Sequence, residues 1–153
     1  MSMSVAEVLT DKAKQSPASG ATLFIIGPDQ GVAEAVAIMD EKEISSVIVM
    51  EGSTMYGLIT LREILAALHT RGGAILQAKC SDVMKANPPT AKPSDTVDHL
   101  RQLMTELHIT HVPVMDNDVV VGILSFFDIA RSAIKDATFE NQLLKQYIRN
   151  WPA

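Results

Sequence analysis

The chain writes one phrase twice. Gly57 to Ile64 reads GLITLREI, and Gly122 to Ile129, 65 residues later, reads GILSFFDI. The same offset lays Pro28 on Pro93, Val32 on Val97, Met39 on Met104, Glu41 on Glu106 and Ile44 on Ile109. Val47, Val49 and Met50 fall on Val112, Val114 and Met115. No gap is needed between residues 28 and 66. An ungapped self-match of this kind marks a duplication, and it forces one element order on both halves. Upstream the register changes. Val8-Leu9 resembles Val83-Met84 at an offset of 75, so the first copy holds about ten extra residues. The polar stretch at about 11–22, DKAKQSPASGAT, reads as that insertion and as a loop.

Each copy carries the same elements. A short apolar strand opens it, LFII in the first copy and PPTA in the second. Pro88 and Pro89 make the second a poor central strand, so an edge or a strand start is expected. Asp29 after Pro28 and Ser94 after Pro93 are the N-cap candidates of the following helices. Val32, Val36, Met39 and Ile44 form an apolar face in the first copy. Val97, Leu100, Leu103, Met104 and Leu107 form one in the second. SVIVM and HVPVM read as strands, then MYGLIT and VVVGILS, then a second helix. The order β-α-β-β-α, twice, predicts an α/β (α+β) fold. One such unit is too small to be comfortable alone. Two packed sheet to sheet share a core about a pseudo-twofold axis, and clefts between them come in related pairs. The predicted organisation is repeat 1 at 5–71, repeat 2 at 78–135 and a helical tail at 136–153. In the tail Phe139, Leu143, Leu144, Tyr147 and Ile148 recur at helical spacing before Trp151-Pro152. That stripe suits either its own module or a second chain.

The chain has 153 residues and a net charge of −5, with pI about 5.3. No basic face of the kind a nucleic-acid binder carries is expected. The start has no basic segment followed by an apolar core, and no run approaches a membrane span. The lone Cys80 has no internal partner, so a reducing cytoplasm is the expected compartment. His108 and His111 form H-x-x-H across an expected helix end, without further ligands at metal-site spacing. Nucleophile-and-base sets, glycine-rich phosphate loops and C-x-x-C are absent, so no enzyme is expected.

The two G-φ-φ-[ST]-x-x-[DE]-I phrases, ITHVPVMD at 109–116 and SDVMKANPPTAKPSDTV at 81–97 together resemble the tandem CBS-domain pair, or Bateman module. The resemblance spans roughly residues 5–135. It implies a free-standing regulatory module that binds adenosine-containing ligands such as AMP, ADP, ATP, S-adenosylmethionine or NAD. It implies a homodimer and a signal passed to a protein partner by conformational change. Each ligand would lie between the helix start of one copy and the first strands of the other. The first cleft would take Asp128, Ser125 and Ile123 with Gly20, Ile25, Ile44 and Ser45. The second would take Thr60, Glu63 and Leu58 with Lys85, Asn87, Thr90, Ile109, Thr110 and His111. The family's ribose-binding Asp matches Asp128, whereas Glu63 departs from it. Lys85 and His111 are the expected phosphate contacts.

Both phrases also read as helix caps. Thr60-Leu-Arg-Glu63 is the capping-box pattern, which needs no ligand. In Ser125-Phe-Phe-Asp128 the acid is one methylene shorter and is expected to close the reciprocal bond less well. The alternative to a nucleotide sensor is a structural or protein-interaction dimer whose clefts bind nothing, and Glu63 is the residue that favours it.

Overall fold

The computed structural model describes residues 3–15 and 23–149, the side chains of residues 15, 136–140, 143 and 147 excepted. Copy one contains β1 (Ile25–Ile26), α2 (Val32–Glu41), β2 (Ser46–Glu51), β3 (Thr54–Thr60) and α3 (Leu61–Arg71). A 3-10 helix (Gly72–Gln77), α4 (Cys80–Val83) and β4 (Lys85–Ala86) lead to copy two. That copy has α5 (Val97–Leu107), β5 (His111–Asp116), β6 (Val119–Ser125) and α6 (Phe126–Arg149). Ahead of both stands α1 (Val5–Gln15). The sheets run β1-β2-β3-β4 and β5-β6, with β1 parallel to β2 and the other pairs antiparallel.

The duplication reaches fine detail. β2–β3 and β5–β6 are irregular at equivalent places, Val49/Met50 and Val114/Met115. Glu43 and His108, 65 apart, both turn left-handed, with φ of 53° and 54°. The first strand of copy two shrinks to a single parallel bridge, Ala91 to Val114, at the outer edge of β5. Its counterpart in copy one also uses Ile48 N–H to Phe24 O at 2.9 Å. Pro113 replaces Ile48 and has no N–H to give.

Strand alternation builds three layers of packing. Val47, Val49 and Ile59 point to α2 with Ile26, Ala35 and Met39. Val112, Val114 and Leu124 point to α5 with Leu100 and Met104. Ile48 and Leu58 face Val120 and Ile123 across the two sheets, the sheet-to-sheet seam that the duplication implies.

Several local expectations change. The helix caps are Gly31 and Thr96 rather than Asp29 and Ser94. Pro28 and Asp29 lie in a turn closed by Gln30 N–H to Gly27 O, and Thr96 accepts from His99 N–H at 3.1 Å. Leu107 is half exposed, and Ile44 lies past the end of α2, packed on the copy-one core. Residues 11–15, expected as loop, continue α1 as helix. Residues 16–22 of the expected insertion lie outside the described part.

The leading helices are also exchanged. Val5 and Val8 of α1 are buried in the core of copy two, and Cys80 of α4 in that of copy one. Val5 N–H and Ala6 N–H bond the carbonyls of Asp95 and Pro93. Cys80 N–H and Ser81 N–H do the same with Gln30 and Pro28. Each leading segment thus closes the other copy. At the far end α6 runs unbroken through the tail. Leu144 and Ile148 are 58% and 70% exposed, so these two do not pack on their own module. The side chains of Phe139, Leu143 and Tyr147, and all of Trp151, fall outside the described part.

Candidate functional site

The two repeated phrases both end strands and start helices, and both close capping boxes. Thr60 N–H and its hydroxyl donate to Glu63 Oε1 at 2.8 and 2.6 Å, and Thr60 Oγ1 accepts from Arg62 N–H. In copy two Ser125 N–H donates to Asp128 Oδ2 at 2.8 Å, and Asp128 N–H returns to Ser125 Oγ at 3.1 Å. The expectation that Asp closes this box less well is therefore incorrect. The N-cap backbone comes near enough for the shorter side chain to reach it at the same distance.

Beyond the caps the two sites diverge. In front of Thr60 and Glu63 opens a cleft of about 270 Å³ between the copies. Seven of the nine residues assigned to the second cleft line it: Leu58, Thr60, Glu63, Lys85, Ile109, Thr110 and His111. Asn87 and Thr90 do not. Arg62, Pro88, Pro89, Leu107 and His108 line it too. The walls are apolar where Leu58, Ile109 and the prolines meet, and cationic at Lys85 and Arg62. Lys85 arrives on β4, which pairs with β3 opposite Leu58. Glu63 Oε1 is committed to the cap.

The first cleft is arranged otherwise. Asp128 is 5% exposed and takes four donors. Lys12 Nζ reaches Oδ2 at 2.9 Å, beside the Ser125 N–H and hydroxyl, and Arg131 reaches Oδ1 at 2.8 Å. Lys12 also donates to Ile123 O at 2.8 Å. Burial alone would raise the Asp128 pKa, but the Ser125 backbone bond and the Lys12 charge outweigh it and hold the carboxyl below its usual range. Arg131 lies over the Phe127 ring, 5.1 Å from its centroid. Ile25 is half exposed and Ile44 packs into the copy-one core. Gly20 lies outside the described residues.

Lys12 and Arg131 were not among the expected site residues. Val5, Val8, Leu9 and Lys12 share one helical stripe at i, i+3, i+4 and i+7. Extending that stripe through the supposed loop would have found Lys12.

Ser45 and His111 were assigned to different clefts, yet Ser45 Oγ meets His111 Nε2 at 2.8 Å. The other ring nitrogen meets Thr110 Oγ1 at 2.9 Å. His111 therefore stands between the clefts. Burial and then Lys12 push its pKa down to about 4, against weaker pulls from Asp128 and Glu63. The ring is neutral at pH 7, so it offers a phosphate a neutral N–H at most. Burial, with Glu34 adding to it, lifts the Cys80 thiol to about 11. That makes it a protonated core side chain. Among the described residues no three His, Cys, Asp or Glu side chains gather as a metal site requires, and no helix is long and apolar enough to cross a membrane.

Comparisons with known proteins agree with this architecture. The CBS domain model matches residues 21–70 and 80–135. The CBS domain-containing protein CBSX3, mitochondrial, of Arabidopsis thaliana is 28% identical over 97% of this chain and 73% of its own. The crystal structure of the CBS-domain containing protein ATU1752 from Agrobacterium tumefaciens superposes with a TM-score of 0.78 at 28% identity, covering 87% of this chain and 95% of the other. Two more distant structures share the fold. CBSX2 in complex with AMP has a TM-score of 0.65 at 21% identity, over 75% and 90% of the two chains. The CBS domain pair of protein MJ0100, in complex with 5'-methylthioadenosine and S-adenosyl-L-methionine, has 0.71 at 24%, over 86% and 95%. An inosine-5'-monophosphate dehydrogenase from Nitrosopumilus maritimus matches over only 22% of its length, its CBS portion, so the similarity brings none of the catalytic part. With both repeats matched over most of its length, the chain belongs to the CBS-domain family, as a tandem pair of these domains and not as an enzyme.

Proposed function

We propose that this chain is a regulatory module that binds an adenosine-containing ligand, AMP, ADP, ATP or a related adenosyl compound, in the cleft at Thr60 and Glu63. The observation that carries this reading is that cleft itself. At about 270 Å³ it is near the lower end of the ~300–1,000 Å³ of small-molecule sites. Its apolar walls suit a flat base, and Lys85 suits a phosphate. Related folds holding AMP or S-adenosylmethionine add support. A ligand there touches both copies and biases their relative angle, by no more than its differential affinity for the two arrangements. That shift would pass to a partner protein.

Thermal unfolding with AMP, ADP, ATP, NAD and S-adenosylmethionine in turn tests the reading. A ligand at a hundred times its dissociation constant stabilises by about 2.7 kcal/mol. For a chain of this size the midpoint rises by roughly 5–10 °C. Lys85→Ala is exposed and should leave the unliganded midpoint unchanged while shrinking the shift. No shift with any of the five at millimolar concentration would reject the sensor.

A second reading, a dimeric interaction module without ligand, has its own observation. Leu61, Leu65 and Leu68 make an exposed stripe on α3, and Phe127 and Ile134 are exposed on α6. We infer a homodimer through these faces under either reading. Sedimentation should find two chains per particle, and Leu65→Glu should shift it to one. A wild-type monomer at micromolar concentration would contradict the dimer.

A further inference from the structure

Helix α6 carries two faces that call for cover. One packs on copy two through Ile129, with Asp128 and Ser132 buried beside it. The other looks away from the module. At about 100° per residue, Phe127, Ile134 and Ile148 fall on the side of the helix opposite Ile129 and Ser132, and all three are exposed. The CBS match ends at residue 135, but α6 runs on to Arg149. From Asn141 to Arg149 every described side chain is exposed. A short helical stretch with no packed face is marginal in water, so this one calls for a partner. The outer stripe says which. Phe127, Ile134, Asn141 and Ile148 are spaced seven apart, and Ala130, Ala137 and Leu144 follow the first three of them by three residues. That is the a and d spacing of a heptad, sustained over the exposed length of α6. Asn141 stands at an a position, where a single Asn specifies register and oligomer state. By sequence Glu140 holds a g position and Lys145 the e position five residues on, the spacing that joins the two chains of a parallel pair in register. An antiparallel pair sets g against g and e against e. The other g positions are Phe126, Ala133 and Tyr147, so Glu140 would meet no cation there.

We propose that α6 pairs with α6 of a second copy of this chain, parallel and in register, along the stripe from Phe127 to Ile148. The proposal rests on the homodimer inferred above and gives it an orientation. Like repeat stands beside like repeat, with the twofold axis along the paired helices. The stripe includes the exposed Phe127 and Ile134 of that interface and carries it beyond the module to Leu144 and Ile148. The polar Asn141 costs stability in the seam and in return disfavours pairings shifted by a heptad, which would set it against isoleucine. Because α6 starts at the cap of Ser125 and Asp128, one continuous helix joins that cap to the paired tails.

Cysteine cross-linking of the full chain tests this. Cys80 is buried, with its thiol pushed up to about 11, so an introduced cysteine is the reactive one. Ile134→Cys and Ile148→Cys change exposed residues and should leave the module folded. Under a mild oxidant both should form a disulfide with the same residue of the second copy. Gln142→Cys, exposed but off the stripe, should stay reduced. Two residues bridge only when their Cα atoms come within about 7 Å. Positions 134 and 148 lie about 21 Å apart along the helix, so an antiparallel pair that joins one holds the mates of the other about 40 Å apart. Cross-links at both positions, with Gln142→Cys reduced, support the proposal. A dimer by sedimentation that cross-links at one of the two positions or at neither, or equally at Gln142→Cys, overturns it and leaves the homodimer standing. A monomer overturns both.

Discussion

Gly57→Ala is expected to destabilise the protein by about 3 kcal/mol, near the upper end of overpacking costs. The equivalent Gly122→Ala should cost only about 1 kcal/mol. The phrases match, but their neighbours do not. A Cβ at Gly57 would stand 2.6 Å from the Lys85 backbone oxygen and 2.7 Å from Met84 Sδ. That oxygen belongs to β4, and it moves only if the β3–β4 pairs at Gly57–Ala86 and Leu58–Lys85 give way. A Cβ at Gly122 meets only the Leu9 side chain, with Cδ2 at 2.5 Å, and a leucine can turn to another rotamer. Neither glycine has a positive φ, so alanine suits the backbone at both and lowers unfolded-chain entropy by a similar amount. The difference between them is therefore a packing difference. Urea unfolding at constant slope measures it. Because β4 carries Lys85 into the second cleft, Gly57→Ala should also reduce the ligand-induced thermal shift. Equal losses at the two positions would show that β4 is no more fixed than the Leu9 side chain.

Much of this architecture was legible because duplication repeats local chemistry. The element order and the helix end near His108 follow from residues near one another in sequence. Seven residues that line the cleft at Thr60 and Glu63 were legible only through the resemblance to the CBS pair, which places a ligand between the helix start of one copy and the first strands of the other. What escaped was non-local. Which copy a leading helix covers cannot be read from its own periodicity, and α1 and α4 each cover the other one. Lys12 reaches Asp128 across 116 residues, and the polar composition of DKAKQ suggested a loop where an amphipathic helix continues. Thr96 caps α5 because the Pro-Ser-Asp stretch before it is already turned, with Lys92 N–H on Asp95 Oδ2 at 2.8 Å. The cap shared by Asp128 and Ser125 shows the limit of side-chain length as an argument, since the backbone can come closer to suit the shorter acid.

Acid should lower the stability of the protein in two pH windows, one linked to His111 and a lower one to Asp128. His111 has its pKa lowered from 6.5 to about 4 by burial and by Lys12. Between those values the unfolded chain takes a proton that the folded chain refuses. Stability therefore falls as pH drops from 6.5 to 4, and His111 adds no further slope below that. At about 1.4 kcal/mol per unit over roughly 2.5 units, the loss is on the order of 3 kcal/mol. Asp128 behaves in the opposite chemical sense. Its folded pKa lies below 3.8, so its contribution is complete above 3.8 and is lost as pH falls from there through the folded value. His111→Gln, which can still bond Ser45, should flatten the slope in the first window and leave the second. Asp128→Asn should remove the slope in the second, at the cost of lower stability at pH 7, where Lys12 loses its counter-charge. Denaturant midpoints from pH 7 to pH 3 for the three proteins test the assignment. If His111→Gln keeps the full slope between pH 6.5 and 4, the ring is not held neutral between the clefts. Acid would then act on α1 and its Lys12–Asp128 contact alone.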